Sequence, residues 1–162
     1  MLSTMVILEY LTESAVSPLQ ANFVEIEDPL ASEVSYSFIE NSVATVYLMF
    51  RCVPINKLDL IEAKLNDVLD GLVSGKVAWD AERMLTVINK RIQEQISQVE
   101  NSPHDSVAGM VIGDALYGNT DQDFELRLNS VAMYEELKSK PSSYWLEIMR
   151  QYMIGKIFDC GL

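Results

Sequence analysis

The sequence predicts an α+β fold, mostly helical with a short antiparallel sheet, and three observations predict it. Alternation of apolar and polar residues is confined to one pair of neighbouring runs, 34–40 and 44–53. Apolar stripes at helical period fill most of what remains. Ser-Pro steps and glycines stand where helices should start and stop.

Met1 to Tyr10 is largely apolar and reads as an opening helix. Ser17 and Pro18 give a second start, with Ser as N-cap, Pro at the first helical position and Gln20 three residues after the cap. Phe23, Val24 and Ile26 supply its apolar positions, and Asp28-Pro29 stops it. In the first alternating run Val34, Tyr36 and Phe38 share one face, and Asn41-Ser42 marks a turn. In the second run Val46, Leu48, Phe50 and Cys52 share one face, while Tyr47, Met49 and Val53 share the other. A strand apolar on both faces is expected inside a sheet covered on both sides. The two runs together predict a hairpin.

Helices are predicted for the rest. Asn56 caps a helix over 57–74 with the stripe Leu58, Ile61, Leu65, Val68, Leu69 and Leu72, and Gly75 closes it. Asp80 caps the next, with Met84, Val87, Ile88, Ile92, Ile96 and Val99 directed inward. Ser102-Pro103 starts another, with Asp105 in its first turn and a stop at Gly118-Asn119. Thr120 or Asp121 starts one carrying Leu126, Val131, Tyr134 and Leu137. Pro141 fits the first turn of a last helix with Trp145, Ile148, Met149 and Tyr152.

The small number of strands is informative. A two-stranded hairpin is marginal alone, and an exposed edge along 44–53 invites pairing with another chain. Covering Leu48 or Phe50 is worth roughly 1.5–3 kcal/mol each. Sheet partners are therefore expected from outside the chain, and Val46, Leu48 and Phe50 are the expected sheet-edge interface.

Composition excludes several classes. A chain of 162 residues with 49% hydrophobic content suits one domain, 1–162, with a real core. Its net charge of −12 repels nucleic acid and anionic membranes, so neither is an expected partner, whereas basic peptides are attracted. No apolar run reaches the length of a membrane span. Two cysteines make no disulfide framework, and Cys52, set in an apolar run, reads as a reduced core residue. The compartment is then a reducing one, and the first residues carry neither a signal nor a transit pattern.

No residue set predicts catalysis or metal binding. His104 is the single histidine, whereas catalytic zinc takes three protein ligands. It reads as an exposed residue in a helix first turn. No Gly-x-Ser-x-Gly elbow accompanies it. Asn119 to Glu125 is rich in acids but has Phe124 and Ser130 where a calcium loop needs Gly and Glu. Gly109 and Gly113 are spaced for close helix packing. Asp114 reads as structural, and Tyr117, Tyr144, Trp145 and Tyr152 as core.

Two segments carry a resemblance. They are Leu11 to Gln20 (L-T-E-S-A-V-S-P-L-Q) and Asn101 to Asn119 (N-S-P-H-D-S-V-A-G-M-V-I-G-D-A-L-Y-G-N). With the hairpin ending near Cys52-Val-Pro54, paired long helices and Tyr144-Trp-Leu in this order, the chain resembles the second, non-catalytic domain of pitrilysin-like metallopeptidases. That group contains insulin-degrading enzyme and the presequence proteases. The resemblance runs from about Ile7 to Gly155. It implies a parent of four related α+β domains closing around a chamber, with zinc held in the preceding domain by an H-x-x-E-H motif and a distal Glu. None of those residues falls on a position of this chain, so no catalytic, cofactor or metal residue is carried over.

The resemblance therefore implies an incomplete metallopeptidase-family two-layer domain, a fragment lacking a leading and a closing strand. Its expected partners are the remaining domains of the parent and, through the parent, peptide substrates. Self-association through the exposed edge is a further expectation. The implied location is cytoplasmic, with the mitochondrial matrix as the alternative. The rival reading is a standalone interaction module using the strand edge and the acidic surface.

Overall fold

The structure, a computed structural model, describes residues 2–39, 45–118 and 120–155. In chain order the elements are α1 (Leu2–Thr12), α2 (Pro18–Phe23), β1 (Glu33–Ile39), β2 (Thr45–Arg51), a 3-10 turn (Ile55–Lys57), α3 (Leu58–Val73), α4 (Ala81–Asn101), α5 (Pro103–Tyr117), α6 (Asp121–Leu128), α7 (Ser130–Leu137) and α8 (Ser142–Tyr152). The fold is α+β and mostly helical, as its sequence patterning predicts. These elements gather into two compact units.

The first unit holds α1, α2, the hairpin, α3 and α8. Its centre is α1, where Val6, Ile7, Leu8, Tyr10 and Leu11 are all buried. A helix apolar on every side must be covered on every side, and α2, α8 and β1 all pack against it. Trp145 and Met149 of α8 are buried, as are Ile61, Leu65, Val68, Leu69 and Leu72 of α3. The α3 stripe is the predicted one apart from Leu58, which is half-buried. Trp79 stacks on Tyr10 with ring centroids 4.3 Å apart, and the Tyr10 hydroxyl accepts the Asp80 N–H at 3.1 Å.

Local chemistry sets the helix ends. Pro18 stands at the start of α2, where its missing N–H costs nothing. Ser17 does not cap it; its buried hydroxyl accepts the Ser14 N–H at 2.8 Å within the preceding turn. α2 stops at Phe23, earlier than Asp28-Pro29, because Leu30 and Ala31 donate their N–H groups to the Phe23 carbonyl. Ile26 is therefore left exposed on the returning loop. Lys57 clamps that loop by donating to the Asp28 carboxylate and, at 2.9 Å, to the Pro29 carbonyl. Asn56 lies in the 3-10 turn rather than capping α3, whose N-cap is Lys57. Gly75, at φ 78°, adopts the left-handed conformation that ends α3.

The second unit holds α4 to α7. On α4 Met84, Val87, Ile88 and Ile92 are buried, but Ile96 and Val99 are exposed, so the predicted inward stripe is covered only over its first half. Ser106 ties the start of α5 to the end of α4 through the Ser102 and Gln98 carbonyls at 2.9 and 3.3 Å. α6 opens with a capping box between Thr120 and Asp123. The helix predicted beyond it breaks at Asn129, giving α6 and α7. Leu126 is exposed, whereas Tyr134 and Leu137 are buried. No helix among the described residues is long and apolar enough to cross a membrane.

Candidate interaction edge

The two strands form one antiparallel ladder in which Val34 stands opposite Phe50, Tyr36 opposite Leu48 and Phe38 opposite Val46. These six residues share a face, because side chains alternate along a strand. That face packs toward the helices. Val34 is 1% exposed, the Phe50 ring lies 4.8 Å from Phe23 of α2, and the Tyr36 hydroxyl donates to Glu9 of α1 at 2.7 Å. The opposite face pairs Ser35 with Met49 and Ser37 with Tyr47, and Tyr47 is 48% exposed.

The direction of the backbone groups follows from two observations. The Val34 carbonyl and N–H both meet the side chain of Gln20, at 2.7 and 3.4 Å. At the other strand, the Arg51 carbonyl accepts the Ser32 N–H at 2.9 Å. Val34 therefore points away from β2, while Arg51 points toward the β1 side. In an antiparallel ladder residues alternate between bonding inward and outward. The pairs Val34–Phe50, Tyr36–Leu48 and Phe38–Val46 are thus the non-bonded ones. The N–H and C=O groups of Val46, Leu48 and Phe50 consequently point out along the far edge of β2. Among the described residues no strand pairs with that edge.

The three residues expected at the sheet edge therefore have two roles. Their side chains line the inner face, all half-buried, and their backbone groups form the outer edge. Among the described residues β2 is one half of a two-stranded sheet.

The other residues singled out by their chemistry do not assemble. His104 and Asp105 are exposed in the first turn of α5. Asp114 is half-buried, its Oδ1 is without a hydrogen-bond partner, and it crowds Gly118. Gly113 faces the Arg127 guanidinium of α6, whereas Gly109 has open space beside it. Trp145 is core, Tyr144 meets it edge-on at 5.2 Å and shares a hydrogen bond with Ser3 at 2.8 Å, and Tyr152 is exposed. Tyr117 belongs to the other unit and is half-buried. Among the described residues no three His, Cys, Asp or Glu side chains gather closely enough to hold a metal ion.

Cys52 corrects the sequence reading. It is exposed rather than core, because the strand ends at Arg51 and Cys52 turns the chain at φ 52°. Cys160, Asn119 and the turn at Asn41-Ser42 lie outside the described residues.

Comparison with known proteins gives relatives much longer than this chain. An uncharacterized protein of Caenorhabditis elegans is 33% identical over 148 residues, which is 91% of this chain and 15% of the relative. One of Schizosaccharomyces pombe is 27% identical over 147 residues, and one of Saccharomyces cerevisiae 22% over 150. The chain spans only 14–15% of the length of these curated relatives. No family model matches the chain, and no solved structure does.

Proposed function

We propose that this chain is a structural, non-catalytic segment of a pitrilysin-like zinc metalloendopeptidase, serving to build the peptide-degrading enzyme rather than to perform its chemistry. The observation that carries this reading is the ordered set of segments described above, from Leu11–Gln20 to Tyr144-Trp145. The matches to relatives of far greater length support it, since they run over nine-tenths of this chain and leave most of each relative beyond it. Zinc and its general base belong, on this reading, to a preceding domain of the parent. The partners are the parent's other domains, and peptides reach the chain only through them. The net charge of −12 suits a chamber wall that attracts basic peptides. The reading places the parent in a reducing compartment, the cytoplasm or alternatively the mitochondrial matrix.

The test is to sequence the source transcript outward from both ends of the coding segment and to assay its full product. An H-x-x-E-H motif in frame about one domain upstream, with zinc bound and peptides cleaved by the full product, is the expected result. A product without that motif would overturn the peptidase reading. The edge of β2, which carries no strand among the described residues, would then favour an interaction module whose partner strand comes from another protein.

A further inference from the structure

We infer that the outer edge of β2 receives a third strand, supplied in cis by a longer polypeptide in which this chain is embedded. The inference rests on the reading of the chain as one segment of a larger protein, and it names the place where the rest of that protein attaches.

Four observations lead to it. The register directs the N–H and C=O groups of Val46, Leu48 and Phe50 outward, a row of donors and acceptors at the spacing a strand requires. The two edges of the sheet differ. On β1 the equivalent groups of Val34 are already taken by Gln20, and α2 packs beside that strand. The edge of β2 carries no strand among the described residues. The inner face is also incompletely covered: Val34 is buried, but Tyr36 and Phe38 on β1 and Phe50, Leu48 and Val46 on β2 are each only half-buried. An added strand would extend the apolar layer over them. Lastly, the chain matches 14–15% of each relative, so a segment of this kind sits within a far longer chain in all three.

A second copy of the chain is the rival occupant. Two copies each carry a net charge of −12 and repel one another. A strand in the same polypeptide acts at an effective concentration on the order of millimolar, which a second molecule does not reach at ordinary protein levels. The incoming strand should place apolar side chains beside Val46, Leu48 and Phe50 on the inner face. On the other face its side chains would lie beside Tyr47 and Met49.

The experiment is hydrogen exchange resolved to single amides, comparing the isolated 162-residue chain with the full product of its transcript. In the isolated chain the amides of Tyr47 and Met49, which bond to β1, should exchange slowly, and those of Val46, Leu48 and Phe50 rapidly. In the full product the second set should slow by roughly a hundredfold, because each amide gains a ladder bond that opens only with the sheet. Equal exchange of Val46, Leu48 and Phe50 in the two proteins would overturn the inference. So would protection that appears in the isolated chain and rises with its concentration, which would identify a second copy. A transcript encoding nothing beyond this chain would also overturn it. The zinc motif and peptidase activity of the full product are separate readouts. The strand can thus be found without a peptidase, or a peptidase without the strand.

Discussion

Gln20 holds Val34 as a neighbouring strand would. Its Nε2 donates to the Val34 carbonyl at 2.7 Å and its Oε1 accepts the Val34 N–H at 3.4 Å. The same Nε2 donates to the Thr12 carbonyl at 3.0 Å, using the second hydrogen of the amide. One side chain thereby links the end of α1 to the edge of β1.

Replacing that amide should be costly. Gln20→Leu leaves the Thr12 carbonyl and both Val34 groups without these bonds, and an unsatisfied buried group costs about 1–3 kcal/mol. We expect a loss of about 2–3 kcal/mol, read as a lower urea midpoint at unchanged slope. Gln20→Glu should fall at least as far, because a carboxylate would face two carbonyl oxygens. An unchanged midpoint in Gln20→Leu would show that the clamp adds nothing.

The hairpin is also fixed to α1 through Tyr36 and Glu9, which is only 7% exposed. Tyr36→Phe removes the hydroxyl and should destabilise by about 1–2 kcal/mol. Tyr47→Phe, on the exposed face, should stay within about 0.5 kcal/mol of the parent sequence. Equal unfolding midpoints for the two variants would contradict the inner and outer faces assigned to the hairpin.

Gly113 of α5 and Gly118, just beyond its end, should respond differently to alanine. A Cβ at Gly118 would stand 2.6 Å from the Asp114 carbonyl oxygen and closer still to its carboxylate. The backbone must shift to admit it, so Gly118→Ala should cost about 1–3 kcal/mol. At Gly113 the Cβ would meet only the tip of Arg127, 2.8 Å from Nη1. That side chain can move aside, so Gly113→Ala should cost less than about 1 kcal/mol. Urea unfolding of the pair checks the order.

α5 carries Val107, Val111, Ile112 and Leu116 on exposed positions, the last 65% exposed. Its buried positions are the small Ser106 and Gly113. Val111→Lys and Leu116→Lys should therefore leave stability within about 0.5 kcal/mol, while lowering the binding of a hydrophobic dye. A large drop in stability would mean that these side chains are covered in solution.

The fold was largely legible because its signals are local. Pro18, Gly75 and the Thr120–Asp123 pair mark helix ends through their own backbone chemistry. The alternation of 34–40 and 44–53 anticipates the pairing of 33–39 with 45–51. Errors arose where a distant group intervened. Gln20 suggested a capping partner, but its amide reaches Thr12 and Val34 instead. Ile26 suggested a continuing helix, but Leu30 and Ala31 bind the Phe23 carbonyl and end it. Cys52 continued an apolar alternation, but the strand finishes one residue earlier.

The candidate edge was legible only in part. Apolar alternation identified Val46, Leu48 and Phe50, yet alternation reports which way side chains point and nothing about which carbonyls and amides face a neighbour. That came from the register and from the groups that meet Val34 and Arg51.

By itself the sequence determined the starts of α2 and α5, the end of α3, the hairpin and most of the stripe that α3 buries, since each depends on chemistry within a few residues. Tertiary structure alone decided that Ile96, Val99 and Leu126 stay exposed, that Glu9 is buried against Tyr36, and that the backbone groups of Val46, Leu48 and Phe50 face away from β1. The physical reason is that burial and pairing are properties of what stands opposite a residue, and periodicity specifies a face without specifying what covers it.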